Sequence, residues 1–117
     1  MKLAVVGGRD FIDYEHMNDV LHAIHNRKAI TVLVSGGARG ADSLAANWAR
    51  QRDIEVVEFI PDWEKYGKSA GFKRNNLIIN EADACVAFWD GKSKGTKSSI
   101  DLARKREIPL KIIKYED

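Results

Sequence analysis

The sequence predicts a three-layer α/β domain whose five-stranded, mostly parallel sheet lies between helices. Two observations predict it. Short apolar runs alternate with amphipathic stretches of helical period, the pattern of βαβ units around a parallel sheet. Glycines also cluster where three of those runs end: Gly7-Gly8, Gly36-Gly37 with Gly40, and Gly91 with Gly95. A length of 117 residues gives one domain, residues 1–117, with a real core but no room for two.

Each element has its own reason. Lys2 to Val6 is an apolar run closed by Gly7-Gly8, as suits a buried parallel strand. Asp13 is placed to cap a helix from Tyr14 to Arg27, with Met17, Val20, Leu21 and Ile24 on one face. Its three histidines, His16, His22 and His25, have no Glu or Cys at a matching spacing and are expected to be solvated rather than metal ligands. Ile30 to Val34 is the second strand, ending at Ser35, and the alanine-rich stretch Ala41 to Arg52 is the second helix. The third strand is predicted over Ile54 to Ile60, where Pro61 ends it.

Asp62 to Gly71 is polar and aromatic, and reads as a longer loop with room for one helical turn. A helix follows from Phe72 to Glu81, then a buried strand Ala84 to Trp89. Asp90 to Thr96 is the third glycine turn and opens a helix from Lys97 to Arg106, before a fifth strand from Leu110 to Ile113. Right-handed crossovers put the carboxyl ends of these strands on one edge, where ligands of such sheets bind.

Composition bounds the function. Apolar residues at 44% and charged residues at 31% describe an ordinary globular protein. A formal charge of +2, with no lysine-arginine stripe along the chain, argues against nucleic acid as a partner. The single cysteine, Cys85, lies in an apolar run and is expected to be a buried, inert thiol. No stretch approaches the ~20 apolar residues of a membrane span. The N-terminus enters a strand pattern with no signal-peptide features, so a cytoplasmic location is expected.

The glycine turns suggest the chemistry. The first turn of a helix presents unpaired N–H groups and the positive end of the helix dipole, and glycine lets an anion approach the backbone. Ser35, Gly36, Gly37, Arg39, Gly40 and Asp42 form one such turn. It matches neither the Walker loop nor Gly-x-Gly-x-x-Gly, and a plain strand-to-helix connection would also use glycine. Gly95-Thr96 offers an N–H and a hydroxyl at a helix start, with Lys92 and Lys94 nearby. Trp63 and Tyr66, with Lys65 and Lys68 beside them, could cover a flat ring or pack as a lid on the core.

In order along the chain, Gly7-Gly8-Arg9-Asp10, Ser35 to Asp42, Trp63 to Gly71 with Arg74-Asn75, and Asp90 to Thr96 converge on one edge. This set resembles the SLOG superfamily of Rossmann-like domains, in its YspA-like branch, from Gly7 to about Thr96. The superfamily includes the cytokinin-activating phosphoribohydrolases (LOG proteins), the DNA-uptake protein DprA and sensor domains for nucleotide-derived signals. The resemblance implies a nucleotide or nucleotide-sugar ligand. Ser35, Gly36, Gly37 and Gly40 match the family's first phosphate-side turn, Gly95 and Thr96 its second, and Arg74 an arginine of the hydrolase members. The hydrolases carry Pro-Gly-Gly-x-Gly-Thr-x-x-Glu, whose glutamate assists glycosidic cleavage. Here Ser99 stands in that glutamate's place, and a serine cannot stabilise an oxocarbenium charge unaided.

Three functions follow in order. The first is a sensor or binding module for a nucleotide-like small molecule, with Arg9, Arg39 and Arg74 on phosphate oxygens and Trp63 or Tyr66 on the base. The second is a nucleotide N-glycosidase, for which Asp10 and Asp90 are the candidate catalytic carboxylates. The third is a DNA-binding module like DprA. No cofactor and no metal are implied. Pairing into a homo-oligomer is left open, through the Tyr14–Arg27 or the Ala41–Arg52 helix.

Overall fold

A computed structural model describes residues 1–116 of the chain. Strands β1 (Lys2–Gly7), β2 (Val32–Ser35), β3 (Glu55–Glu58), β4 (Ala84–Trp89) and β5 (Leu110–Lys114) form one sheet in the order β3-β2-β1-β4-β5. All four neighbouring pairs are parallel, so the sheet is wholly rather than mostly so. Helices α1 (Tyr14–Arg27), α2 (Ala41–Arg50), α3 (Trp63–Tyr66), α4 (Ala70–Glu81) and α5 (Lys94–Lys105) connect the strands, with one 3₁₀ turn at Gly67–Ser69 between α3 and α4.

Strand alternation sorts the core into two layers. Leu3, Val5, Leu33, Val86 and Phe88 face α1 and α2, where they meet Met17, Leu21, Ala45 and Trp48. The intervening residues Ala4, Val6, Val34, Cys85 and Ala87 face α4 and α5, meeting Ile78, Ile79 and Ile100. A sheet covered on both faces leaves its strands apolar throughout, as the runs predicted. Burial pushes the Cys85 thiol up to about 12, so it stays protonated.

Asp13 caps α1 by accepting from His16 N at 3.1 Å. The expectation of solvated histidines fails for two of the three. His22 and His25 pack edge-on to the fully buried Trp48 ring. His25 Nδ1 accepts from Ile30 N at 2.9 Å. Trp48 Nε1 donates to Asn18, and the Arg52 guanidinium lies 4.5 Å from the indole centroid, so one tryptophan locks α2 to α1.

Several boundaries differ from the sequence expectation, among them β2, which starts at Val32, and α2, which ends at Arg50. β3 ends at Glu58, because its ladder runs only from Val32↔Glu55 to Ser35↔Glu58, where β2 stops. α4 starts at Ala70, after the 3₁₀ turn. α5 starts at Lys94, because the Ser93 hydroxyl accepts from Thr96 N and caps it there. Among the described residues, no helix is long and apolar enough to cross a membrane. Trp48→Ala, which opens a cavity and breaks the α1–α2 lock, is expected to lower the unfolding free energy in urea by about 3–5 kcal/mol.

Candidate functional site

The strand order reverses at β1. β2 and β3 lie to one side of it, β4 and β5 to the other, so a crevice opens between the carboxyl ends of β1 and β4. A cleft of about 410 Å³ occupies it. β1 contributes Gly7 and Gly8, followed by Arg9 and Asp10, and α4 contributes Arg74, Asn75 and Ile78. The loop after β4 and the start of α5 supply Asp90, Ser93, Gly95, Thr96 and Ser99. Asp42 and Ala38 close the α2 side. A smaller notch of about 250 Å³ adjoins it through Arg9, Ala38 and Arg74, and is walled by Gly36, Gly37, Arg39, Ile60 and Trp63.

Most of the residues singled out from sequence are therefore brought together. Ser35, Gly40, Tyr66 and Lys68 line neither space. Ser35 is buried and works inside its turn, accepting from Gly37 N at 3.2 Å. Gly40 sits at φ +75°, where an added Cβ would run into the Gly8 carbonyl, so it lets α2 start against β1. Tyr66 and Lys68 are exposed farther out on the α3 segment.

One arginine joins the two glycine turns. Arg74 Nη1 donates to the Gly36 carbonyl at 2.6 Å, and its Nε donates to Asn75 Oδ1 at 3.0 Å. Asn75, itself buried, donates to the Gly95 carbonyl at 3.3 Å. Gly36 leaves the room for this: a Cβ there would collide with the guanidinium and lie 2.9 Å from Asp42 Oδ2. Burial lowers the Arg74 pKa and Asp42 opposes that fall, but an arginine remains charged.

Asp42 is an anion already in place at the start of α2. Its Oδ2 accepts from Ala38 N at 3.2 Å, and Gly36 contributes a second backbone hydrogen bond. Ala41 N donates to the Gly8 carbonyl. The N–H groups expected to face a ligand across Gly36 to Gly40 are thus largely engaged within the protein. Burial pushes the Asp42 carboxyl up to about 6, against the pull of the Ala38 N–H and the Arg74 charge.

The two carboxylates considered for catalysis line the cleft and already accept hydrogen bonds within the protein. Asp90 Oδ1 accepts from Lys92 N and Ser93 N, each at 2.8 Å, and the Ser93 and Lys92 N–H groups hold its pKa below the usual carboxylate value. Asp10 Oδ1 accepts from the Tyr115 hydroxyl at 2.6 Å. Ser99 is buried against the cleft. Ser93 was missed, although a serine just before a helix is the ordinary capping signal.

Fold and cleft together define a Rossmann-like domain with a polar crevice at its topological switch point. The chain belongs to the YspA, cpYpsA-related SLOG family, whose model matches residues 1–66. It is 37% identical over 116 residues to the Gene 61 protein of Mycobacterium phage D29, covering 93% of each chain. Two solved structures share its fold. One is DNA processing protein A from Helicobacter pylori, described by its single-stranded DNA binding mode, with TM-score 0.75, 23% identity and 96% of this chain covered. The other is DNA processing protein A (DprA) from Streptococcus pneumoniae, with TM-score 0.77, 19% identity and 95% covered. The chain spans 64% and 49% of those two proteins.

These neighbours, one of them described by its single-stranded DNA binding, overturn the argument from net charge against nucleic acid as a partner. Its physical basis fails too, because net charge says nothing of where charges lie. Lys92, Lys94, Lys97 and Lys105 line one groove on α5 beside Trp89, Leu102 and Asp101, and Asp101 pairs with Lys97 at 2.8 Å. Residues 94, 97, 101 and 105 fall on one helical face, so the spacing places three lysines there around one aspartate.

The raised Asp42 pKa makes a signed prediction. Its carboxyl is more readily protonated in the folded protein than unfolded, so the stability it contributes is full below pH ~4 and is lost as pH rises through about 6. Asp42→Asn abolishes that titration. Between pH 4 and 7, wild-type stability is expected to fall relative to the variant by on the order of 3 kcal/mol, read from paired urea melts.

Proposed function

We propose that the protein binds a nucleotide or nucleotide-derived ligand, phosphate end in the cleft, and does not cleave it. The observation that carries this reading is Arg74, a half-buried cation held between Gly36 and Asn75 and, through Asn75, tied to Gly95 at the start of α5. A fixed guanidinium near a helix N-terminus suits a phosphate group. Arg9 and Arg39 are exposed at the mouth, and Trp63 offers a ring in the adjoining notch. Non-cleavage follows from Ser99 standing where the related hydrolases carry glutamate.

The reading is tested by thermal shift with mono-, di- and cyclic nucleotides, ADP-ribose and NAD, followed by chromatography of each mixture. A ligand at 100 times its Kd adds about 2.7 kcal/mol of stability. It should be recovered intact, and recovery as free base with ribose phosphate would replace binding by hydrolysis. Arg74→Ala should cost about 1.5–3 kcal/mol of binding.

Gly95→Ala is a sharper test. A Cβ there would meet nothing within 4 Å in the free protein. Alanine should leave melting unchanged or raise stability by up to ~1 kcal/mol, as it favours the helix. Filling the space where phosphate would approach the backbone should nonetheless weaken binding at least about tenfold, or ~1.4 kcal/mol. Unchanged affinity would remove the ligand from the α5 turn.

A second reading makes the bound nucleotide one unit of a single DNA strand. The fold shared with the Helicobacter protein and the lysine groove along α5 favour it.

A further inference from the structure

Large apolar side chains left in water mark interaction surfaces when they gather. Trp63, Tyr66 and Phe72 are 53%, 39% and 54% exposed, and all lie on α3 and the first turn of α4. Their segment is held by local bonds. Asp62 caps α3 by accepting from Lys65 N at 3.0 Å, and the Ser69 hydroxyl donates to the Tyr66 carbonyl at 2.9 Å. The Trp63 ring lies over Gly71, where an added Cβ would be 3.7 Å from Cη2.

Two cations lie at one of these rings, that of Tyr66. Lys65 Nζ is 5.1 Å and Lys73 Nζ 4.8 Å from the Tyr66 centroid. With Lys68 the segment carries three lysines against Asp62 and Glu64, and Asp62 is engaged in the cap. At one end, Trp63 walls the notch that holds Arg9, Arg39 and Arg74. Flat rings interleaved with lysines and continued by arginines fit a chain of unstacked bases on a phosphodiester backbone. A symmetric pairing of this face would instead bring two sets of lysines 65, 68 and 73 into one interface.

We propose that Trp63, Tyr66 and Phe72 form a stacking platform for the bases of a single-stranded nucleic acid that runs out of the arginine-lined notch. The proposal rests on the strand reading of the cleft and names the surface that its neighbouring nucleotides use. Stacking on a ring tolerates any base, so the platform tracks a strand without reading its sequence.

The test is fluorescence anisotropy with a labelled oligothymidylate of about twelve nucleotides, within the range that compact single-strand binders cover. The matching oligouridylate shows which sugar is preferred. Thymidine monophosphate in thermal shift reports the cleft alone. The double variant Tyr66→Ala/Phe72→Ala touches no residue of the cleft or notch. It should weaken oligonucleotide binding at least about tenfold, while the monophosphate shift stays within twofold. Tyr66→Leu, which keeps apolar bulk and loses the ring, should weaken it as well. The platform is overturned if both variants leave oligonucleotide affinity unchanged, or if the oligonucleotide binds no tighter than the monophosphate. It is equally overturned if the double variant only converts a dimer to a monomer in sedimentation. If neither compound binds the wild-type protein, the strand reading of the cleft falls with it; if the monophosphate alone binds, only the platform falls.

Discussion

Everything at the carboxyl edge of the sheet depends on how closely β4 and α2 approach the Gly7–Gly8 backbone at the end of β1. Gly8 N donates to the Phe88 carbonyl at the end of β4, and the Gly8 carbonyl accepts from Ala41 N at the start of α2 and from Phe11 N. A Cβ on Gly7 would stand 2.6 Å from that of Ala41 and 2.7 Å from the Phe88 carbonyl. These glycines let β1, β4 and α2 close to backbone contact. The crevice between β1 and β4 opens just beyond that junction, so its floor is set by packing rather than by any ligand.

Electrostatics then divides the crevice into two sides. On the α2 side, Asp42 supplies a negative charge inside the protein and takes up backbone N–H groups that would otherwise seek an anion. On the α5 side, Gly95 leaves open space at the first turn, with the cation of Arg74 linked to it through Asn75. Two helix starts that look equivalent in sequence are therefore unlike in structure. One carries its own carboxylate at the first turn, and the other leaves open space beside Gly95.

Charge distribution matters more here than charge total. A net +2 spread evenly would make a weak partner for any polyanion. The fold instead gathers lysines along the outer side of α5 and arginines around the notch. Asp10 and Asp90 keep negative charge at the cleft itself, where Asp90 accepts from the N–H groups of Lys92 and Ser93 and Asp10 from the Tyr115 hydroxyl.

The sequence by itself determined the fold class, the element order and the sheet edge on which the glycine turns and polar residues gather. Those depend on local periodicity, glycine placement and the handedness of crossovers, all of which are short-range or general. α1 was legible to the residue because Asp13 caps it and its apolar face repeats at helical spacing. Tertiary structure alone decided the strand order, and with it which two strand ends flank the cleft. It also decided that Arg74 would lean on Gly36, 38 residues away, and that Asp42 would be buried deeply enough to titrate near 6. Hydrogen bonds across such separations, and the loss of water around a carboxylate, depend on which elements meet in space. No local pattern carries that information.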